Sequence, residues 1–287
     1  MLYYIEKGEF ALLSENCVKK SAGEKGRSEG YDYERQLVDA FNNIIPGIAT
    51  EAQQSVLSKF ERRTISKADI NVAGQPVSIK NPGRSSSSIQ IMVTAAENFF
   101  LSLGVSPETM NAFNLFFGLG DGFSSLLEEN SIDRHTLDWD SESRRQRLKY
   151  GSLPQDSQDS LLSFLNKNKR EIVEVVFSHG WAKDSEYHAS KMIWCNSSVS
   201  GKSNVDNLCL FDMEEVIDKI CQYEWSVRPS ETVVELGPLT LQMKGSGKGK
   251  SYHYPQFNTS LNDLRKFGIN CVEGDYKQIL ETIAGSN

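Results

Sequence analysis

The sequence lacks the features that are typical of membrane proteins, secreted proteins and zinc-binding modules. In its 287 residues, no apolar run approaches the roughly 18–20 residues that a membrane span needs. The opening, MLYYIEKGEF, has no basic segment followed by an apolar one, so we expect no secretory signal. The five cysteines are never spaced C-x-x-C, nor the four histidines H-E-x-x-H. This pattern predicts free thiols in a reducing cytoplasm and disfavours zinc.

The composition is that of a globular protein with an acidic balance. Hydrophobic residues make up 39% and charged residues 24%, which is enough apolar material for a sizeable core. The formal net charge of −7 excludes a uniformly basic surface but permits a locally basic cleft. Because no repeat, low-complexity tract or linker divides the chain, residues 1–287 are predicted to form a single domain.

Helical and alternating apolar patterns both occur, which predicts a mixed α/β fold around one central sheet flanked by helices. Strands are predicted at Asp69–Val72, Val77–Lys80, Lys191–Cys195, Leu208–Phe211, Thr232–Leu236 and Leu239–Met243. The first helix is predicted to begin near Asp32, with Asp32 as its N-cap. Further helices are predicted to begin after Ser85–Ser88 and at Ser106-Pro107, and another to end near Phe177. The last two are predicted at Glu214–Glu224 and near Tyr276–Ile283.

The segment with the clearest chemistry is the predicted hairpin that carries Asp69, Ser78 and Lys80. Side chains alternate along a strand, so Ser78 and Lys80 project to one face, and the hairpin partner brings Asp69 alongside. An aspartate and a lysine at the end of a sheet suit metal-assisted phosphodiester cleavage. The carboxylate holds Mg²⁺, which prefers oxygen ligands, and the lysine orients or deprotonates the attacking water.

Glu34 is the candidate for a second metal-binding carboxylate. It shares the apolar face of the first predicted helix with Leu37 and Phe41, and an inward-facing glutamate needs a partner such as a metal ion. Spacing alone leaves simpler roles open. By itself, the spacing of Asp69 and Lys80 favours ordinary surface positions, and the helix dipole favours an acid such as Glu34 in a first turn.

These residues, taken in order, resemble the type II restriction endonucleases of the PD-(D/E)xK superfamily, in the MspI/HinP-type branch. The similar segments are Tyr33–Phe41, Asp69–Val72, Ser78-Ile79-Lys80 with the later Ser88-Ile89, and Leu239–Gly245 with Gln256-Phe257. The resemblance implies a restriction-endonuclease-like core at about residues 31–105 and DNA-recognition elements at about 81–90 and 239–262. It also implies catalytic roles for Glu34, Asp69, Ser78 and Lys80, with Asp69 and Glu34 as the Mg²⁺ ligands.

The implied activity is Mg²⁺-dependent hydrolysis of double-stranded DNA at a short palindromic site, leaving 5′-phosphate and 3′-hydroxyl ends. A cognate DNA methyltransferase is the expected genetic companion, and the enzyme is expected in the bacterial cytoplasm, away from membranes, as a monomer or homodimer. Ser78 departs from the pattern, because the superfamily has an acid there and this branch an amide. That departure leaves one-metal and two-metal chemistry open and places more weight on Glu34.

Basic and flexible segments flank the predicted site. Six basic and two acidic side chains lie between residues 53 and 94, and three lysines and no acid lie between 239 and 262. Such patches match a surface that follows DNA phosphates. The residues predicted to contact DNA are Arg84, Ser85, Ser86, Ser87, Ser88, Gln90, Lys244, Lys248, Lys250, Tyr252, His253 and Gln256. The resemblance favours Ser88, Lys244 and Gln256 for base recognition.

Two alternatives stay open at this point. Gly245–Ser251 contains Gly-Lys-Ser like a phosphate-binding loop, but Lys244 stands where the first glycine is required and Pro255 follows where a helix must begin. A nucleotide hydrolase is therefore the weaker alternative. The stronger one is a non-catalytic DNA-binding protein on a degraded nuclease fold, and Ser78 is its best argument.

Overall fold

The structure, a computed structural model, describes a mixed α/β fold with a central mixed sheet flanked by helices, which confirms the predicted class. The described residues are 22–53, 55–59, 63–80, 88–93, 96–117, 150–195, 207–227, 232–243 and 255–285. Across these ranges, no helix combines the length and the apolar character needed to cross a membrane.

Strands and helices alternate irregularly along the chain. In chain order the strands are β1 (Ala49–Glu51), β2 (Ser55–Leu57), β3 (Arg63–Ile65), β4 (Ile70–Val72), β5 (Gln75–Lys80), β6 (Ser88–Val93), β7 (Lys191–Cys195), β8 (Leu208–Asp212), β9 (Val234–Leu236), β10 (Leu239–Met243), β11 (Pro255–Ser260) and β12 (Val272–Gly274). The helices are α1 (Ala22–Ile44), α2 (Ala96–Ser102), α3 (Pro107–Phe117), α4 (Gln155–Lys167), α5 (Lys169–Glu174), α6 (Met213–Ile220), α7 (Leu261–Lys266) and α8 (Tyr276–Ala284). Short helical turns cover Tyr150–Ser152, Val175–His179 and Ser185–Tyr187.

The described strands form a six-stranded sheet, a four-stranded sheet and a two-stranded ribbon, where the sequence predicted a single sheet. The six-stranded sheet has the order β1-β4-β5-β7-β8-β12, in which only β5 and β7 run parallel. The four-stranded sheet has the order β6-β11-β10-β9. A large apolar core joins elements of both sheets, and the rings of Phe99 and Phe257 lie 5.3 Å apart within it.

Helix α1 covers one face of the six-stranded sheet. It begins ten residues before Asp32, so the prediction of Asp32 as N-cap is wrong, although the buried face that the spacing predicted is present. Leu37 and Phe41 are fully buried and pack with Ile279 and Ile283 of α8. This packing holds the middle of α1, and therefore Glu34, against the sheet.

The hairpin that carries the candidate site is tighter than predicted. Ala73 and Gly74 both have positive φ angles, 50° and 80°, which is the conformation of a two-residue turn that matches strand twist. Gln75 pairs with Val72, so Gln75 and Pro76 belong to β5 instead of the loop. The short turn leaves little freedom in the register between β4 and β5.

The helix predicted directly after Ser85–Ser88 is wrong over its first half, because residues 88–93 form strand β6 and helix α2 begins only at Ala96. Isoleucine or valine stands at every second position of this segment, at Ile89, Ile91 and Val93. This period of two suits a strand, and pairing with β11 provides backbone hydrogen bonds along one side of it. Ile91 is buried in the large core.

Candidate active site

Asp69, Ser78 and Lys80 meet at one end of the β4–β5 hairpin. Asp69 precedes β4, and its Oδ2 atom accepts hydrogen bonds from the backbone N–H of Ile79 at 2.5 Å and from Ser78 Oγ at 3.1 Å. Lys80 Nζ lies 3.7 Å from the same oxygen, donates to the Ile79 carbonyl at 3.0 Å and contacts Ser78 Oγ. The alternation of side chains along β5 therefore places the serine and the lysine on the aspartate, as the spacing predicted.

The cluster is mostly shielded from solvent but reachable from one side. Ser78 is fully buried, whereas 14% of the Lys80 side chain and 25% of the Asp69 side chain are exposed. A charge pair in such a position is screened less by water than a surface pair. It can also meet a ligand without unfolding of the strands.

Glu34 brings a second carboxylate toward the hairpin from helix α1. Burial, the largest cause, and the negative charge of Asp69 raise the pKa of Glu34 from 4.5 to about 7, against the lowering effect of Lys80. Two acids held close enough to oppose ionisation are the arrangement that a cation relieves. Because both groups offer oxygen ligands, this donor set fits Mg²⁺ and is unsuited to a thiophilic metal.

Lys67, one of the six basic side chains between residues 53 and 94, was not predicted as a site residue. Burial, the largest cause, and the neighbouring charge of Lys80 lower its pKa from 10.5 to about 7, although Asp69 acts in the opposite direction. Lys67 Nζ donates to the carbonyl of Ile91 at 3.1 Å, which ties strand β6 to the site. The signal in the sequence was its position two residues before Asp69.

Cys195 and Tyr33 border the cluster and are packing residues rather than nucleophiles. Burial raises the pKa of the Cys195 thiol to about 12 and also raises the pKa of Tyr33. Both residues belong to the apolar core beneath α1. A neutral thiol is a poor nucleophile, so the carboxylates and the amines are the groups of this cluster that are suited to chemistry.

The predicted DNA-binding residues fall partly outside the described residues. Those outside are Arg84, Ser85, Ser86, Ser87, Lys244, Lys248, Lys250, Tyr252 and His253. Ser88 and Gln90 lie on β6, where they pair with Ser260 and Asn258 of β11. Gln256 lies on β11, and its Nε2 donates to Asn258 Oδ1 at 2.5 Å.

The four-stranded sheet thus carries, on two adjacent strands, the three residues predicted to contact DNA that the structure describes. Lys67 joins this sheet to the Asp69 cluster through the Ile91 carbonyl. A comparison of the sequence with protein-family models and with curated proteins yields no match. Any function must therefore be inferred from the geometry and the charges of these residues.

Proposed function

We propose that the protein is a Mg²⁺-dependent, sequence-specific endonuclease of double-stranded DNA with a PD-(D/E)xK-type core. The observation that carries the proposal is the convergence of Asp69, Ser78 and Lys80 on one hairpin, with Glu34 approaching from α1. The order of these residues along the chain is the order that the resemblance to type II restriction endonucleases implies.

Asp69 and Glu34 are the residues that would hold Mg²⁺ through their carboxylate oxygens. When bound, the ion neutralises charge on the scissile phosphate and makes water a better nucleophile. The raised pKa of Glu34 fits this role, since its proton has to leave before the carboxylate can bind a cation. Two carboxylates suit a single ion, so we assign one ion to the described residues.

Lys80 is placed to orient the attacking water and to stabilise charge on the phosphate. Its ammonium is held by Ser78 Oγ and by the Ile79 carbonyl, and it keeps a longer separation from Asp69. In-line attack of water on phosphorus forms one P–O bond and breaks the bond to the 3′ oxygen, which takes up a proton. The products are a 5′-phosphate and a 3′-hydroxyl.

Ser78 stands where the superfamily carries an acid, and its hydroxyl bridges Asp69 and Lys80. A serine can fix the positions of its two neighbours, but it contributes no negative charge to a metal site. This feature favours one rival, a DNA-binding protein that no longer cleaves. The rival predicts that DNA is shifted in a gel but stays intact with Mg²⁺.

The test is digestion of a mapped plasmid by the full chain with Mg²⁺, with chelator as the blank. We expect discrete fragments, and run-off sequencing should place every end at one short palindrome with a 5′-phosphate. Asp69→Asn should abolish cleavage because it removes a metal ligand. Asp212→Asn is the matched control on the same sheet and should cut normally.

Three results would overturn the proposal. A wild-type chain that shifts DNA without cutting it would be the non-catalytic binder. A chain that ignores DNA and releases phosphate from ATP would be a nucleotide hydrolase. Cleavage that survives in both Asp69→Asn and Lys80→Ala would place the active site elsewhere. Protection of the plasmid by the methyltransferase expected as genetic companion would add an independent check of site specificity.

A further inference from the structure

A second group of metal-ligating side chains lies at the far edge of the six-stranded sheet, away from β5. Cys209 on β8 pairs directly with Glu273 on β12. Cys271 precedes Glu273 by two residues and therefore points to the same side of the chain. The Sγ atoms of the two cysteines and a carboxylate oxygen of Glu273 all lie within 4.8 Å of one another.

The three side chains differ in burial, and the positively charged side chain of Arg265 already contacts two of them. Cys209 is fully buried, Cys271 is half-buried and the Glu273 side chain is 55% exposed. Arg265 Nη2 donates to Cys209 Sγ at 3.4 Å and also to the Glu273 carboxylate. Two thiolates and one carboxylate beside a single guanidinium would leave two negative charges, which one divalent ion neutralises.

A disulfide explains this arrangement less well than a metal ion. Cys209 and Cys271 are free thiols, and the register makes them diagonal instead of directly opposite neighbours. Diagonal positions on adjacent strands are typically about 7–8 Å apart. A disulfide normally needs Cα atoms within about 6.8 Å. A bridging ion spans the larger gap, and it also gives the Glu273 carboxylate a role that a disulfide does not.

We propose that Cys209, Cys271 and Glu273 bind one thiophilic divalent ion such as Zn²⁺, with a fourth position open to solvent. Bonds of about 2.3 Å to sulfur and 2.0–2.2 Å to oxygen would require the ligand atoms, which already lie within 4.8 Å of one another, to close in by at most about 1.3 Å. Arg265 would shift away from Cys209 Sγ as the ion binds, and 35% of its side chain is already accessible to solvent. The ion would fasten the edge strand β12 to β8. This site is independent of the Mg²⁺ site, because thiolates select Zn²⁺ where paired carboxylates select Mg²⁺.

The test is titration of the full-length, reduced chain with Co²⁺ as a spectroscopic probe, followed by displacement with Zn²⁺. We expect one equivalent to bind, with thiolate-to-cobalt charge-transfer absorption and the visible bands of tetrahedral Co²⁺. Cys271→Ser should remove these bands. Glu273→Gln should weaken binding by at least about tenfold, since even outer-shell partners of a metal are worth 10–100-fold.

Cys221→Ser is the matched control, because Cys221 is a half-buried free thiol outside the cluster. It should bind Co²⁺ as the wild type does. Glu273→Gln changes an exposed side chain, so it keeps the test decisive should a cysteine variant misfold. The absence of thiolate bands in the wild type would refute the proposal, as would equal loss of the bands in Cys221→Ser. Air oxidation that removes two thiols without any metal binding would identify a redox pair instead.

Discussion

Two lysine–aspartate pairs lie on the same sheet and differ in what surrounds them. Lys191 and Asp212 face each other across β7 and β8 with 2.6 Å between Nζ and Oδ2. Lys80 and Asp69 are separated by 3.7 Å. The two lysines are equally shielded, with 15% and 14% of their side chains exposed. Burial of the lysine therefore does not distinguish the pairs.

The groups that surround each aspartate do distinguish the two pairs. Asp212 also caps helix α6 by accepting from the backbone N–H of Glu215. Burial by itself would raise the pKa of Asp212, but the hydrogen bond from Lys191 and the capping N–H groups together lower it. The charges of Lys191 and Asp212 therefore balance each other, and the pair stabilises the junction between strand β8 and helix α6. Around Asp69, in contrast, Glu34 and Lys67 both have pKa values displaced to about 7. Poorly matched ionisable groups in a cleft are typical of functional sites.

The largest predicted difference between the two pairs is in DNA cleavage. Lys80→Met should reduce the rate by roughly 10²–10⁴-fold, because it removes the amine that we propose positions the attacking water. Lys191→Met should leave cleavage within about twofold of wild type and act mainly on stability. Plasmid digestion rates measure the contrast, with circular dichroism as the check on folding. Equal losses in both variants would remove the functional distinction between the pairs.

The pH dependence of the free energy of unfolding is a second test of the difference between the surroundings of Asp69 and those of Asp212. Because the folded-state pKa of Glu34 is raised from 4.5 to about 7, its contribution to stability is present below pH 4.5 and is lost as pH rises through 7. Glu34→Gln should therefore flatten the fall in unfolding free energy between about pH 4.5 and pH 7, measured by urea denaturation with chelator present. Glu224→Gln is the control, since Glu224 is an exposed partner of Lys169 and should keep the wild-type slope.

A smaller effect is expected at Ser78. Ser78→Ala removes a hydroxyl that donates to Asp69 and accepts from Lys80, while leaving both charges in place. Cleavage should fall by about tenfold, the equivalent of one hydrogen bond of roughly 1.4 kcal/mol. Steady-state digestion of a short duplex containing the target measures it. A loss as large as that of Lys80→Met would show that the serine has a direct chemical role.

The smallest predicted effect is a change in the free energy of unfolding at the Lys191–Asp212 pair. Asp212→Ala removes the N-cap of α6 and should lower the free energy of unfolding by about 1 kcal/mol. Asp69→Asn should leave stability unchanged or raise it, since functional carboxylates are often held at a cost to the fold. Urea titrations of the two variants give both values. A greater stability loss in Asp69→Asn would mean that the site is chiefly structural.

The hairpin was predictable because everything that forms it is local. Gly74 permits the turn, and the alternation along residues 77–80 places Ser78 and Lys80 on one face. The buried side of α1 was predictable for the same reason, since Leu37 and Phe41 repeat at helical spacing. The beginning of α1 was not, because nothing near Asp32 interrupts a helix that starts at Ala22.

By itself, the sequence determined the mixed α/β class, the hairpin and the placement of Ser78 and Lys80 beside Asp69, since these depend on periodicity and on neighbours a few positions away. The tertiary structure decided what depends on distant partners. Pairing with β11 turned residues 88–93 into a strand, and that strand gave Lys67 its acceptor. Register between β8 and β12 brought Cys209 and Cys271, 62 positions apart in the numbering, into one cluster with Glu273. Short-range spacing carries no information about such contacts, because they form only when the chain folds back on itself.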